Sequence, residues 1–374
     1  MGDRLAGLLR GLARDRHLGR RRPPSRRGEI RTMNYMPPRR SDGTIQHERV
    51  RQPWPRDRPF RILSIDGGGI RGILPASILA ELERRYLGGA PITTHFDMIA
   101  GTSTGGIVAL GLAHGLRAAD VLELYTERGG SIFPAPSSGI GKALRSLRQI
   151  GKPVYDRKPL EDELLKIFGQ SVLGEARTRL CIPTFEGTHG EPWIFKTPHH
   201  PDYKKDRHER MVRVALATTA APTYFDAFEN DGYRMVDGGI WANNPIMNAL
   251  VDALACFEIE RRQVQILSVG CGEKAFTVSD AQAKGGMYQW RKVFDAAVRA
   301  QSQNALGQAF LLVGKDNVLR LDAGAEKEPI LLDDYRAARD RLPEVAHSLV
   351  EAGGREAQRT FLCAPAEPYI PCPV

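Results

Sequence analysis

Cysteine is scarce in this chain of 374 residues: there are five copies, and none of them has the Cys-x-x-Cys spacing. An odd number without paired spacing argues against a disulfide framework and against a zinc site. We therefore expect a protein of a reducing compartment, the cytoplasm. No cofactor is predicted.

Long apolar runs are also missing. No stretch of 18 charge-free apolar residues occurs, so the sequence predicts no transmembrane helix. The first residues lack the apolar core of a secretory signal, because Arg10 and Arg14 interrupt it. Any contact with lipid is therefore expected to be peripheral.

Lysine is absent from residues 1–58, yet this segment holds 16 arginines against six acidic residues. The remainder carries 37 basic and 38 acidic residues, so the formal charge of +9 comes from this segment and not from the body of the chain. We interpret 1–58 as a disordered extension. An arm that binds anionic lipid or nucleic acid and a transit peptide remain alternatives. The near-neutral body predicts no nucleic-acid partner.

From Phe60 onward, short β-rich runs alternate with helical patterns, which is typical of an α/β fold with a mainly parallel sheet. Strands are predicted at 60–66, 96–101, 178–185, 192–196, 233–238 and 264–270. Helices are predicted from Pro75, after Ser103, at 117–128, 159–169, 210–220 and 244–258, and after Asp333. A long loop is expected at 129–157. The predicted division is 1–58, a catalytic domain at 59–345, and a C-terminal helix and tail at 346–374.

The first motif that carries chemistry is Gly-Thr-Ser-Thr-Gly at 101–105, which has the G-x-S-x-G pattern of a sharp strand-to-helix turn. Such a turn places the hydroxyl of Ser103 at a helix N-terminus, where N–H groups favour developing negative charge. Gly101 and Gly105 are expected there because side chains would collide with the neighbouring strand and helix. The pattern alone often arises by chance, but its place after FDMIA and before an apolar helix supports Ser103 as a nucleophile.

The second motif is Asp-Gly-Gly-Gly-Ile-Arg-Gly at 66–72, directly after a predicted strand. Gly67, Gly68 and Gly69 expose consecutive N–H groups that suit an oxyanion, and Arg71 adds positive charge. The same glycines also match a dinucleotide fingerprint, which expects a second strand ending in an acid about 20 residues later. The following stretch is instead typical of one helix, so we favour the oxyanion site. A nucleotide-binding module with an idle serine remains the alternative.

The third motif is Val-Asp-Gly-Gly at 236–239, again at a predicted strand end. Asp237 is a candidate general base, although Asp-Gly also forms ordinary turns. Finding three motifs at strand ends favours the catalytic role, because catalytic groups collect at that edge of α/β sheets. After Asp237 the only histidine is His347, in a helical stretch without strand-end context. We therefore predict a Ser–Asp dyad rather than a triad.

In this order, DGGGIRG, GTSTGG and VDGGIWANNP resemble the patatin-like phospholipases, and the resemblance extends over roughly 60–275. It implies a three-layer α/β/α fold with a mainly parallel central sheet. It also implies that Ser103 is the nucleophile, that Asp237 takes its proton and later activates water, and that Gly67–Gly69 with Arg71 form the oxyanion hole. The reaction implied is hydrolysis of a fatty-acyl ester of a membrane phospholipid without a metal.

Within that family, SIDGGGIRGILPA and GTSTGGIVALGLA are most similar to bacterial members, some of which are anti-phage effectors activated by a cyclic dinucleotide. The resemblance thus implies a gated bacterial enzyme, cytoplasmic and peripheral at the inner membrane when active. An ungated acyl hydrolase or lysophospholipase acting on soluble esters is the alternative, and a homo-oligomer remains open. The basic stretch 142–158 is either a phosphate-binding loop or a solvated one. The region after 280 carries no motif that we can interpret.

Overall fold

The computed structural model describes residues 36–39, 49–132, 134, 153–272, 276–283, 293–324 and 330–373. Contacts divide the chain into two units, Met1–Met36 and Pro37–Val374. The predictions for the Arg-rich extension and for the basic stretch 142–158 lie largely outside the described residues. The division at 58/59 and 345/346 stays a prediction, although the last helix runs without a break across residue 345.

The core of the fold is one mixed sheet, ordered β5-β6-β3-β2-β1-β7-β8, with β4 paired to β3 as well. The strands are β1 (Phe60–Ile65), β2 (Met98–Gly101), β3 (Arg179–Glu186), β4 (Glu191–Lys196), β5 (Phe228–Asn230), β6 (Tyr233–Asp237), β7 (Val264–Val269) and β8 (Val318–Leu321). The five strands from β3 to β8 along this order pair in parallel, whereas β4, β5 and β6 pair antiparallel. The predicted mainly parallel sheet is confirmed.

Helices cover both faces of the sheet. They are α1 (Ile73–Tyr86), α2 (Thr104–His114), α3 (Ala118–Ile132), α4 (Lys158–Phe168), α5 (Met211–Thr218), α6 (Gly239–Ala242), α7 (Ile246–Cys256), α8 (Asp280–Ala283), α9 (Val293–Val313) and α10 (Tyr335–Thr360). Alternate residues of β1 enter two separate cores, because successive side chains of a strand point to opposite faces. Leu63 and Ile65 pack with α1, α2 and α10, and Phe60 and Ile62 pack with α7 and α9. The predicted three-layer α/β/α architecture is confirmed.

Several element predictions need correction. The short strands β5 and β8 and the 21-residue helix α9 were not predicted. Helix α3 continues to Ile132, so the start of the predicted loop 129–157 is helical. Gly129 lies within α3 and does not end the helix. A Cβ there would lie 2.7 Å from Ile70 Cδ1, so this glycine allows close packing against the neighbouring turn.

Crossing a bilayer requires a helix that is both long and apolar. Both α9 and α10 have more than 18 residues. Within the described part of the chain, however, no helix combines that length with enough apolar character to span a membrane.

Candidate active site

Ser103 occupies a strained turn between β2 and α2. Its backbone has φ 56° and ψ −123°, a region that residues other than glycine rarely adopt. Two hydrogen bonds hold the turn: the Ser103 N–H donates to Thr218 Oγ1 at 3.0 Å, and the Thr218 hydroxyl donates to the Pro183 carbonyl at 2.6 Å. Helix α5 and strand β3 therefore fix the conformation that places the serine hydroxyl at the start of α2.

The two glycines of the motif have a steric role. A Cβ at Gly101 would lie 2.0 Å from the Gly105 carbonyl oxygen, and a Cβ at Gly105 would lie 2.4 Å from the Ile65 carbonyl oxygen. Both distances are far below van der Waals contact. The turn can therefore close against β1 only if both positions lack side chains.

Asp237 reaches Ser103 from an antiparallel strand. Ala100 of β2 is level with Cys181 of β3, and Asp237 is level with Thr184, three residues further along β3. Strand β3 is longer than β2 and extends past its end, and β6 runs back along this extension until it stops at the level of Ser103. The two side chains meet there: the Ser103 hydroxyl donates to Asp237 Oδ2 at 2.6 Å.

The environment of Asp237 makes it a stronger base than an ordinary carboxylate. It is 5% exposed, and burial raises its pKa to about 6, although the hydrogen bonds from Ser103 and from the Gly239 N–H oppose this shift. The Gly239 N–H donates to Asp237 Oδ1 at 2.7 Å, which orients the other oxygen towards Ser103. Among the described histidines, none is hydrogen-bonded to Ser103 or Asp237. His347 is exposed on α10 beside Arg85.

The glycine-rich turn after β1 lies next to this pair, but its three amides are not equivalent. The Gly67 N–H donates to the Asn243 carbonyl at 3.0 Å and is therefore already used, contrary to its predicted place in an oxyanion hole. For the Gly68 and Gly69 N–H groups, the described residues supply no hydrogen-bond acceptor. Gly69 also has φ +58°, and a Cβ there would lie 2.4 Å from the Leu332 carbonyl oxygen. Gly68 and Gly69 are the candidate oxyanion donors.

Arg71 supports this turn through backbone contacts. Its Nη1 donates to the Gly272 carbonyl at 2.9 Å and its Nε donates to the Gly68 carbonyl at 3.3 Å. The guanidinium therefore ties the turn to the segment after β7. Its charge lies close to the candidate oxyanion donors, but both of these hydrogen bonds serve to hold the backbone.

A cavity of about 400 Å³ opens onto these groups. Ser103, Asp237, Gly68 and Gly69 lie in its wall. Most of the remaining lining is apolar and includes Ile70, Ile107, Leu124, Ile132, Leu160 and Phe225. A few polar groups in an apolar cavity are typical of a site for a largely apolar ligand with one reactive polar bond. The arrangement of nucleophile, base and free amides is suited to acyl transfer.

Sequence reasoning missed three residues that hold these segments together. Thr218 supports the Ser103 turn, and Asn243 accepts the Gly67 N–H through its carbonyl. Both lie in the region of family resemblance, roughly 60–275, and Asn243 lies in VDGGIWANNP itself, so a signal was present. The third is Arg320 on β8, which donates two hydrogen bonds to Asp66. Nothing in the local sequence VLRL indicated it.

A second buried cluster of titratable groups lies outside the cavity. Among the described residues, His199, Asp252 and Cys256 are grouped closely enough to hold a metal ion. Asp252, however, already accepts hydrogen bonds from Lys196 Nζ and from the His199 imidazole, and from the Tyr203 hydroxyl. The lysine ammonium thus balances the carboxylate charge, and we interpret the cluster as a structural ion pair.

Comparison with known proteins identifies the family of the chain. The sequence profile of the patatin-like phospholipase family matches residues 63–250, about half of the chain. The chain is 36% identical over 241 residues to a cGAMP-activated phospholipase of Vibrio cholerae, covering 60% of this chain and 68% of the relative. It is 33% identical over 306 residues to a cGAMP-activated phospholipase of Pseudomonas aeruginosa, covering 81% and 89%. It is 35% identical over 266 residues to patatin-like protein 2 of Oryza sativa, covering 61% and 65%. The chain belongs to the patatin-like phospholipase family of lipid acyl hydrolases.

Proposed function

We propose that the chain hydrolyses fatty-acyl esters of membrane phospholipids through a dyad of Ser103 and Asp237. The observation that carries the proposal is the hydrogen bond of 2.6 Å from the Ser103 hydroxyl to Asp237 Oδ2. It joins a turn of the nucleophile type to a buried base in the wall of a cavity with a mostly apolar lining. An acyl chain fits such a lining, and the ester carbonyl fits the polar wall.

In the first half of the reaction, Asp237 Oδ2 takes the hydroxyl proton while Ser103 Oγ attacks the acyl carbonyl carbon. Negative charge moves to the carbonyl oxygen and is accepted by the N–H groups of Gly68 and Gly69. The bond between the acyl carbon and the glycerol oxygen then breaks. The leaving oxygen takes the proton from Asp237, and an acyl group remains on Ser103.

In the second half, water replaces the glycerol oxygen. Asp237 takes a proton from the water as its oxygen attacks the acyl carbon, and the same two amides accept the negative charge. The bond to Ser103 Oγ breaks, Oγ regains the proton, and the fatty acid leaves. One carboxylate thus serves both half-reactions, which is consistent with the absence of a histidine from the hydrogen bonds of the described site.

The pH dependence of hydrolysis follows from the state of Asp237. Only the ionised carboxylate can accept the serine proton, and burial raises the pKa of Asp237 to about 6. We therefore expect kcat/KM to be constant above about pH 7 and to fall about tenfold per pH unit below pH 6. A pH profile on a short-chain ester at constant ionic strength measures this. A midpoint near pH 4, typical of an exposed carboxylate, would contradict the role of a buried base.

We also propose that a cyclic dinucleotide gates the enzyme, which acts peripherally on the inner membrane of a bacterium as an effector of anti-phage defence. Support comes from the cGAMP-activated phospholipases of Vibrio cholerae and Pseudomonas aeruginosa, to which the chain is 36% and 33% identical. A phospholipase active at all times would damage the membrane of its own cell, so control of its activity has a physical reason.

The test is fatty-acid release from vesicles of phosphatidylethanolamine and phosphatidylglycerol, with and without a panel of cyclic dinucleotides that includes cGAMP. We expect one member of the panel to raise the rate at least about tenfold, which corresponds to an activation free energy lowered by about 1.4 kcal/mol. Equal fatty-acid release in all conditions would contradict the proposed gating but not the proposed hydrolase activity. Equal rates on vesicles and on a monomeric ester below its critical micelle concentration would favour a hydrolase of soluble esters.

The outcome that removes the whole proposal is different. If no ester is hydrolysed in any condition and a fluorophosphonate does not label Ser103, the serine is idle. The glycine-rich turn would then be better explained as part of a binding module.

A further inference from the structure

A largely buried ion cluster joins the end of β1 to β8 beside the candidate active site. Arg320 donates from Nη1 to Asp66 Oδ1 at 3.0 Å and from Nη2 to Asp66 Oδ2 at 2.6 Å. Its Nη2 also donates to Asp322 Oδ2 at 2.7 Å. The three side chains are 14%, 6% and 10% exposed, in the order Arg320, Asp66 and Asp322. One guanidinium thus holds two carboxylates away from water.

The cluster is connected to the glycine-rich turn by further hydrogen bonds. Asp322 Oδ1 accepts the N–H of Gly272 at 2.8 Å. The Gly272 carbonyl accepts from Arg71, whose Nε donates to the Gly68 carbonyl. Asp66 is the first residue of the turn, and Gly68 is the third. The cluster therefore holds the turn at its start and again next to the amides that are the candidate oxyanion donors.

The packing around these contacts leaves little room for displacement. A Cβ at Gly270 would lie 2.0 Å from the Asp322 Cγ, and a Cβ at Gly68 would lie 2.4 Å from the Cys271 Cβ. The Asp322 carboxylate thus packs against the backbone of Gly270, just after β7. The glycine-rich turn packs against Cys271 of the same segment. A shift of Asp322 would move the Gly272 carbonyl and, through Arg71, the Gly68 peptide.

The charges also matter for the reaction. A buried ion pair contributes little net stability, because desolvation offsets the attraction, and one use of such groups is to fix a single arrangement. Asp66 and Asp322 carry two negative charges, and Arg320 and Arg71 carry two positive charges. With Arg71 counted, the charges next to the place where the oxyanion would form are therefore balanced. An unbalanced Asp66 would repel that oxyanion.

From these contacts we infer that Arg320 and Asp322 are positioning residues that orient the Gly68 and Gly69 amides towards the developing oxyanion. The inference rests on the proposed function, because it assigns the cluster a role in that hydrolysis. Neither residue needs to touch the substrate. Both act through the backbone of the turn.

The test uses Arg320→Lys and Asp322→Asn in the full chain, under conditions in which the wild type hydrolyses vesicles. Lysine keeps the charge but loses the paired donors to Asp66, and asparagine keeps an oxygen for the Gly272 N–H but loses the charge. We expect kcat to fall roughly 10- to 100-fold with KM changed by less than about threefold, since a misplaced amide weakens contacts made mainly in the transition state.

A second measurement separates positioning from a purely structural role. An acyl trifluoromethyl ketone forms a tetrahedral adduct with the serine and places an oxyanion in the hole. Its inhibition constant is expected to rise in proportion to the loss of kcat/KM in both variants. If one variant does not fold, the other still provides both readouts.

Asp252→Asn is the matched control, because Asp252 is a carboxylate even more deeply buried than Asp322, pairs with Lys196 and His199 and does not line the cavity. We expect it to lower the melting temperature and to leave the kcat of the folded protein within about twofold of wild type. Variants of Arg320 and Asp322 that behave like this control would overturn the inference. A wild type without hydrolysis or serine labelling would instead remove the proposed function itself.

Discussion

Replacing Ser103 by alanine is expected to lower fatty-acid release from phospholipid vesicles by at least about 10⁴-fold. The substitution removes the one oxygen that is hydrogen-bonded to Asp237 and placed at the start of α2. It also removes the acyl-enzyme route, so that only direct attack of water on the ester remains. The fold is expected to persist, because the Ser103 N–H still donates to Thr218 and alanine needs no more space than serine.

Two measurements check this expectation. Fatty-acid release gives the rate, and a fluorophosphonate shows whether Ser103 reacts covalently. Ser77→Ala is the matched control, since Ser77 is a buried serine of α1 that does not line the cavity of Ser103. It is expected to retain both activity and labelling. Hydrolysis by Ser103→Ala at more than a tenth of the wild-type rate would exclude Ser103 as the nucleophile.

The parts of the site that could be predicted from the sequence are the turns that depend only on residues close together in the chain. The turns at Asp66 and Ser103 each follow a short apolar strand, and the register places Ile65 of β1 beside Gly101 of β2. Because β1 and β2 are parallel neighbours, both turns leave the sheet at the same edge. A strand pattern and a glycine pattern therefore sufficed to bring the first two motifs together.

The third motif meets the others for a reason that the sequence pattern does not contain. The expectation relied on parallel strands, yet Asp237 ends an antiparallel strand. It reaches Ser103 because β3 has eight residues and extends beyond β2, which has four. Strand β6 pairs with the part of β3 that extends beyond β2. The lengths of β2 and β3 and the register of β6 on β3 decide this placement. The pattern of apolar and polar residues in the five-residue strand β6 predicts neither.

The contacts that differ from expectation depend on partners far away in the chain. The Gly67 N–H was expected to face the oxyanion, but Asn243, 176 positions later, accepts it. Arg320 lies 254 positions from Asp66, on a strand of four residues whose pattern is too short to be recognised. Both pairings arise from tertiary packing, which local periodicity does not describe.

Asp237→Asn is expected to lower acyl release by at least about 10³-fold, because asparagine cannot accept the serine proton. If its oxygen keeps the Gly239 N–H, its amide nitrogen faces Ser103 and donates to Oγ, which reduces the nucleophilicity of that oxygen. The residual rate of the variant should be the same at pH 6 and pH 9, since it has no carboxylate there to titrate, so the loss is about twofold smaller at pH 6, where about half of the wild-type Asp237 is protonated. Asp231→Asn, at an exposed acid that pairs with Arg213, serves as the control that keeps full activity.

The same substitution is expected to leave the protein as stable as the wild type or more stable at pH 8. Folding raises the pKa of Asp237 from an ordinary 3.8 to about 6, so its charged form destabilises the folded state above pH 6. One pKa unit corresponds to about 1.4 kcal/mol, which sets an upper limit of about 3 kcal/mol for the gain. The gain should shrink as the pH falls from 6 to 4, because Asp237 is then protonated in the folded state and its ionisation favours the unfolded state less as the pH approaches 3.8. Melting temperatures of both proteins at pH 8 and pH 5 measure it. An inactive variant that is also strongly destabilised at pH 8 would mean that Asp237 supports the fold, and that its loss of activity says nothing about a base.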